Sequence, residues 1–181
     1  MNYFITGLPR SRTAWLANFL TYDGSFCFHE LCRKTTNVHE MKLLLSYPKY
    51  KHVGTSDCAL SYYFDKLIEM LDEWKLIVID RNLDDAINSL DKIGLKTKES
   101  IEKVLEAHNR NKYMMKKHEH LLIPFEALNK QVACEKIWEY CTGTKMDKVR
   151  FDELNILDIE VNMKKYMQTI RAEEISELME V

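Results

Sequence analysis

Residues 2–20, NYFITGLPRSRTAWLANFL, decide the fold class of this chain. A short apolar run, Tyr3 to Thr6, leads through a glycine and a proline, which bend the backbone, into an apolar helical pattern from Ser11 to about Thr21. Arg10 and Arg12 lie at this junction. The first N–H groups of a helix have no partner within the helix and carry the positive end of its dipole. The stretch therefore predicts a strand, an anion-binding turn and a helix.

The rest of the chain also alternates between short apolar runs and longer amphipathic ones. The strand candidates are Tyr3 to Thr6, Phe26 to Phe28, His52 to Thr55, Leu76 to Ile79 and Leu121 to Phe125. The helix candidates are Ser11 to Thr21, Val38 to Leu45, Leu60 to Leu71, Asp84 to Lys92, Glu99 to Lys117, Ala127 to Cys141 and Val161 to Leu178. Because helical crossovers join strands in parallel, we expect an α/β three-layer sandwich around a mostly parallel sheet of about five strands.

Length and composition favour a single domain over residues 1–181, with 46% hydrophobic residues to form its core. The 26 basic and 28 acidic residues nearly cancel, so we expect no nucleic-acid partner. No apolar run is long enough to span a bilayer, and we expect a cytoplasmic protein. The odd number of cysteines favours free thiols, and Cys27, His29 and Cys32 lack the second ligand pair of a zinc finger, so we expect no metal site.

In a parallel sheet, ligands bind beyond the carboxyl ends of the strands. The segments that follow the predicted strands are Gly7 to Thr13, His29 to Lys34, Thr55 to Cys58, Asp80 to Asp85, and Phe125 to Glu126. In the first of them, Arg10 and Arg12 supply charge-assisted donors for a phosphate or sulfate, and the hydroxyls of Ser11 and Thr13 complete the cage. A nucleotide-hydrolase P-loop needs a lysine at position 13, where this chain has Thr13.

Two segments resemble the nucleotide-binding motifs of the sulfotransferases that use 3′-phosphoadenosine 5′-phosphosulfate (PAPS). Residues 9–15, PRSRTAW, are similar to the loop P-[KR]-S-G-T-[TS]-W, which holds the 5′-phosphosulfate, although Arg12 replaces its glycine and Ala14 a hydroxyl residue. Residues 76–90, LIVIDRNLDDAINSL, resemble the 3′-phosphate segment, with Arg81 and Ser89 at the family spacing and Leu83 in place of a proline.

A third segment, residues 120–154, is similar to the late strand and helix of the same family. The family writes the end of this strand Y-E-D-L, and here residues 125–128 read FEAL. Three segments in the family's order extend the resemblance over most of residues 2–154.

The resemblance implies a P-loop NTPase-like sulfotransferase fold. It also implies that a sulfuryl group is transferred from PAPS to a hydroxyl or amine of a small-molecule acceptor, leaving adenosine 3′,5′-bisphosphate (PAP). It implies a nucleotide-binding set of Pro9, Arg10, Ser11, Arg12, Thr13, Ala14, Trp15, Arg81 and Ser89. Trp15 either stacks on adenine or belongs to the core. We expect Arg10 to stabilise charge during transfer, and Glu30, then His29, then Asp57, to be the candidates for the base.

Two other functions remain open at this level. Residues 75–80, KLIVID, have the form of a magnesium-holding strand, with Asp80 as the metal ligand of a small nucleotide or phosphoryl kinase. A catalytically degenerate nucleotide-binding protein would also account for Arg12 and Ala14. Binding of PAP, of ATP with magnesium, or of neither distinguishes these alternatives.

Overall fold

Five strands form one sheet in the computed structural model, which describes residues 1–92 and 94–156. The strands are β1 (Asn2–Gly7), β2 (Ser25–His29), β3 (His52–Ser56), β4 (Trp74–Asp80) and β5 (Leu121–Pro124). Their order across the sheet is β2-β3-β1-β4-β5, and each pairing is parallel. The five predicted strands are therefore confirmed, and their ends differ from the prediction by only one or two residues.

Helices cover both faces of this sheet. They are α1 (Thr13–Leu20), α2 (Leu31–Lys34), α3 (Val38–Leu45), α4 (Phe64–Ile68), α5 (Leu83–Asp91), α6 (Lys98–Lys117), α7 (Gln131–Thr142) and α8 (Lys148–Ile156). No helix in the described part of the chain is long and apolar enough to cross a membrane.

Successive residues of a strand point to opposite faces of the sheet, so each face packs against a different set of helices. Tyr3 and Ile5 of β1 pack with the apolar residues of α1, α7 and α8. Phe4, which lies between them, packs with those of α3, α4 and α6. The predicted α/β class is confirmed, with a parallel sheet buried on both faces. The sulfotransferase fold, which is a narrower expectation, stays a prediction.

The predicted helix from Leu60 to Leu71 is wrong in its extent. A 3₁₀ turn, Leu60–Tyr62, precedes the short helix α4, and beyond α4 the N–H groups of Met70 and Leu71 bond to carbonyl groups three residues earlier. An apolar spacing of three or four residues is compatible with either kind of winding. The pattern therefore indicated the buried residues Leu60, Phe64 and Leu67, but Tyr63, which shares the same spacing, is exposed. It did not reveal the type of helix.

The predicted helix from Ala127 to Cys141 is also divided. A 3₁₀ turn, Phe125–Asn129, is followed by Lys130 in an extended conformation with φ −107° and ψ 128°, and only then by α7. Lys130 carries no sequence signal that would break a helix. The predicted helix Val161 to Leu178 lies outside the described residues.

Two helices, α2 and α8, were not predicted. α2 is only 4 residues long, too short to show a periodic pattern. α8 buries only Phe151 and Leu154 among otherwise partly or fully exposed residues, so its apolar stripe is narrow. The five cysteines, by contrast, are free thiols, as predicted.

Candidate functional site

The segments that follow the five strands meet at one edge of the sheet, here called the carboxyl edge, because the strands are parallel. The connection after β1 leads to the face covered by α1, whereas the connections after β3 and β4 lead to the other face. Many buried polar side chains lie at this edge or immediately below it: Thr6, Ser11, Thr13, His29, Glu30, Thr55, Ser56 and Asp57. Polar groups in such number are unusual in a core and mark the carboxyl edge as the candidate site.

The β1–α1 loop, residues 8–12, passes close to β4. A Cβ on Gly7 would lie 3.1 Å from both the Cβ and the carbonyl oxygen of Ile79, so a glycine suits the start of the loop. The loop closes with a hydrogen bond of 3.2 Å from the N–H of Ser11 to the carbonyl of Leu8. It then enters α1 with the N–H groups of the first helical turn facing the carboxyl edge.

Arg10 joins the two segments that the sequence assigned to the two phosphates. Its Nε donates a hydrogen bond to Ser89 Oγ at 3.4 Å, across a separation of 79 residues in the chain. Arg81 Nη1 in turn donates to the carbonyl oxygen of Arg10. Arg10 is therefore in direct contact with both Ser89 and Arg81, although we expected these residues to bind the nucleotide from two separate segments.

Helix α5 positions Ser89 for this contact. Asn82 caps the helix, since its side chain accepts a hydrogen bond of 3.1 Å from the N–H of Asp85. Ala86 and Leu90 are buried and pack with Leu8 of the β1–α1 loop. Because this packing fixes the helix against the loop, Ser89 faces Arg10.

The turn after β5 contacts the same loop. Arg12 Nη1 donates to Asn129 Oδ1 at 2.6 Å and to the carbonyl oxygen of Leu128 at 3.3 Å. The Arg81 guanidinium lies 4.1 Å from the centre of the Phe125 ring. Asn129 was not singled out from the sequence, because a lone asparagine in a turn carries no recognisable signal.

Ser11 and Thr13 lie at the start of α1, as predicted, but they differ in their partners. Ser11 Oγ is fully buried and has no hydrogen-bond partner. A buried hydroxyl without a partner costs free energy, and an anion bound at the helix N-terminus would satisfy it. Thr13 Oγ1 lies 3.4 Å from His29 Nε2, so the hydroxyl and the imidazole are within hydrogen-bond reach.

Trp15 and Ala14, both predicted to contact the nucleotide, are buried on α1. Only 3% of the Trp15 surface is exposed, and its ring stacks on Phe19 at a centroid distance of 5.2 Å. Its Nε1 donates to the carbonyl of Leu154 in α8 at 3.2 Å. Of the two roles considered for Trp15, this placement favours the core. Pro9 is half-buried in the loop.

His29 and Glu30 end β2 at the carboxyl edge, next to the start of α1. Burial is the main cause that lowers the pKa of His29 from 6.5 to about 4, so the imidazole is neutral at neutral pH. Burial also raises the pKa of Glu30, although Arg33 opposes this shift through an ion pair of 3.0 Å. A neutral imidazole and a carboxyl of raised pKa therefore lie side by side.

Asp57, the third candidate for the base, has a structural role in this arrangement. It is 1% exposed, and its two carboxyl oxygens accept hydrogen bonds from the N–H groups of Cys32 at 2.7 Å and Ala59 at 2.8 Å. The second bond caps the turn that leads to α4. These bonds favour a capping role for Asp57 over proton transfer.

Asp80, the metal ligand of the kinase alternative, is exposed at the end of β4. In residues 1–92 and 94–156 no group of three or more His, Cys, Asp or Glu side chains is placed to hold a metal ion. No protein-family model and no curated protein matches this chain.

Proposed function

We propose that this protein transfers a sulfuryl group from PAPS to a hydroxyl or amine of a small acceptor and leaves PAP. The observation that carries the proposal is the contact of Arg10 with both Ser89 and Arg81. Two segments that resemble the 5′- and 3′-phosphate motifs come together at one edge of the sheet. This closeness supports the binding of a single nucleotide with phosphates at both positions.

The residues of the β1–α1 loop fit an anionic group. The N-terminus of α1, the buried hydroxyl of Ser11 and the guanidinium of Arg10 supply donors of three kinds at one place. When PAPS is bound, it supplies the sulfuryl group and a phosphate leaving group. Arg10 then stabilises the charge on that phosphate, and Arg81 with Ser89 binds the 3′-phosphate.

Glu30 and His29 are the candidates for taking the acceptor proton. His29 contacts Thr13 at the start of α1, which places the imidazole beside the loop. Glu30 is next to it, and burial raises the pKa of its carboxyl, which makes the carboxylate a stronger base than an ordinary one. We assign the base to Glu30, and we assign to neutral His29 the orientation of the Thr13 hydroxyl.

The assignment of Glu30 predicts that Glu30→Gln binds PAP with normal affinity and loses most of the transfer rate, because the amide cannot take a proton. Calorimetry with PAP and a transfer assay with labelled PAPS give the two measurements. His29→Gln should retain more transfer than Glu30→Gln. Equal loss of binding and transfer in Glu30→Gln would contradict the assignment.

Calorimetry of the full chain with PAP, and separately with ATP and magnesium, tests the proposed function. We expect binding of PAP and little binding of ATP. A screen with labelled PAPS against alcohols, phenols, sugars and amines then identifies the acceptor class. Stronger binding of ATP with magnesium would support the kinase alternative, and PAP binding without transfer to any acceptor would support the degenerate one.

The variant Arg10→Ala should reduce transfer on the order of 100-fold or more, since it removes a donor aimed at the developing charge. Arg110→Ala is the matched control, because Arg110 is a half-exposed arginine of α6 paired with Glu106, and its loss should leave transfer unchanged. Near-normal transfer by Arg10→Ala would overturn the role of Arg10.

A further inference from the structure

Arg81 is held by two contacts of different kinds. Its Nη1 donates to the carbonyl oxygen of Arg10, and its guanidinium lies 4.1 Å from the centroid of the Phe125 ring. The ring contact restrains the plane of the guanidinium, and the hydrogen bond restrains its rotation within that plane. Together the two contacts fix the direction in which Arg81 presents its donors.

The sheet register makes this pairing a property of the fold. β4 and β5 are in register, with Asp80 opposite Pro124, so the next residues along the two strands, Arg81 and Phe125, leave the sheet side by side. Phe125 also packs against the core cluster that contains the apolar residues of α1 and α7. The ring is thus anchored on the core and meets the guanidinium of Arg81.

We infer that Phe125 is a positioning residue for Arg81, and that its ring gives the site its preference for a nucleotide that carries a 3′-phosphate. This inference rests on the proposed function, which assigns Arg81 to that phosphate. An aliphatic side chain at position 125 could fill the same space on the core. It would not provide the aromatic face that orients the guanidinium.

Three variants separate positioning from simple packing. Phe125→Leu keeps an apolar side chain on the core and removes the ring, whereas Phe125→Tyr keeps the ring. Tyr22→Leu is a matched control, because it removes an aromatic ring that lies 5.3 Å from the guanidinium of Arg150, outside the carboxyl edge. Calorimetry with PAP and with adenosine 5′-monophosphate, which lacks the 3′-phosphate, measures the preference.

We expect Phe125→Leu to weaken PAP binding roughly fivefold to tenfold and to leave binding of adenosine 5′-monophosphate unchanged, since a cation–π contact contributes on that order. Phe125→Tyr and Tyr22→Leu should both keep the preference of the wild-type protein. Thermal unfolding of each variant confirms that it folds. If Phe125→Leu does not fold, Phe125→Met, which also removes the ring but has a longer and more adaptable apolar side chain, takes its place.

The outcomes distinguish the inference from the function on which it rests. If the wild-type chain does not bind PAP, the proposed function fails, and the role of Phe125 fails with it. If the wild-type chain prefers PAP and Phe125→Leu keeps that preference, only the inference is overturned. Equal weakening of both nucleotides would also overturn it, because that result indicates a packing role.

Discussion

At the scale of single residues, three of the four non-glycine residues with a positive φ in the described part of the chain lie at the carboxyl edge, and the fourth is Asp23. Arg10, Arg12 and Glu30 have φ values of 68°, 59° and 54°, in the left-handed region that most side chains avoid. Such conformations persist only where the surrounding structure holds them, and they are common at binding sites. Arg12 occupies the position at which the sulfotransferase loop has a glycine, the residue for which this conformation has no steric cost.

The positive φ of Arg12 predicts that glycine at this position is more stabilising than alanine, which is the reverse of the usual order in a helix. Both Arg12→Gly and Arg12→Ala remove the bonds to the turn after β5, but only alanine keeps a Cβ in the left-handed region. We expect Arg12→Gly to have a free energy of unfolding about 1 kcal/mol greater than that of Arg12→Ala. Denaturation with urea measures the difference.

Lys42, an exposed residue of α3, is the control for this comparison. There Lys42→Ala should be more stable than Lys42→Gly by about 1 kcal/mol, which is the usual order in a helix. If alanine were also the better residue at position 12, the left-handed conformation of Arg12 would be wrong.

His29 predicts a loss of stability in acid. Its pKa is about 4 in the folded chain, against an ordinary value of 6.5. Between these pH values the imidazole therefore binds a proton more tightly in the unfolded chain than in the folded chain. The free energy of unfolding should therefore fall as the pH decreases from 6.5 toward 4, with a contribution from His29 of about 3 kcal/mol. Glu30 acts in the opposite direction. Because its pKa is raised in the folded chain, the folded chain takes up this proton more readily than the unfolded chain, which adds stability as the pH decreases.

Urea denaturation at several pH values tests this contribution. His29→Gln should flatten the acid limb of the stability curve. His39→Gln, which changes an exposed histidine of α3, should leave the curve unchanged. An acid limb of the same depth in His29→Gln and in the wild-type protein would contradict the lowered pKa.

At the scale of elements, the strands could be predicted well because each is a short apolar run bounded by polar or turn residues. The helices were harder, because 3₁₀ and α winding bury the same apolar positions, as at Leu60–Tyr62 and α4. The short helix α2 has too few residues for any periodic pattern. For α3, which Asn37 caps, the predicted and observed boundaries agree; for α5 and α6, which are also capped, the predicted start is one residue late.

Helix α3 depends on its cap. The Asn37 side chain accepts hydrogen bonds from the N–H groups of His39 at 2.9 Å and Glu40 at 3.0 Å. Asn37→Ala should lower the free energy of unfolding by about 1 kcal/mol. Asn37→Asp should retain most of the stabilisation by the cap, because aspartate also accepts these hydrogen bonds. Urea denaturation measures both; similar losses in the two variants would show that the cap does not stabilise α3.

At the scale of the whole molecule, the parallel sheet brings the candidate site together. The sequence predicted which loops meet, because all strands end at the same edge, and it predicted that Arg10, Arg81, Ser89, His29 and Glu30 lie at or near that edge; their roles stay predictions. It could not predict the side-chain partners. The Arg10–Ser89 and Arg81–Phe125 contacts depend on strand order and register, which bring together residues distant in the chain.

The packing of β1 against β3 predicts that Gly54 cannot be enlarged. A Cβ at this position would overlap the ring and the carbonyl oxygen of Tyr3 on the neighbouring strand. Gly54→Ala should therefore lower the free energy of unfolding by about 3 kcal/mol or more. Thermal and urea unfolding measure the loss.

Gly24→Ala is the comparison for this substitution. Gly24 has a φ of +75°, but no atom lies within 4 Å of an added Cβ, so only backbone strain should be seen, on the order of 1 kcal/mol. A loss at Gly54 no greater than the loss at Gly24 would contradict the close approach of the two strands.

The central place of β1 in the sheet also has a consequence for biosynthesis. Its neighbours are strands synthesised much later, since Asn2 pairs with Val53 on one side and with Trp74 on the other. At typical translation rates of about 5 to 20 residues per second, β1 waits for seconds before either neighbour leaves the ribosome. During that interval the apolar residues of β1 have neither neighbouring strand to pair with.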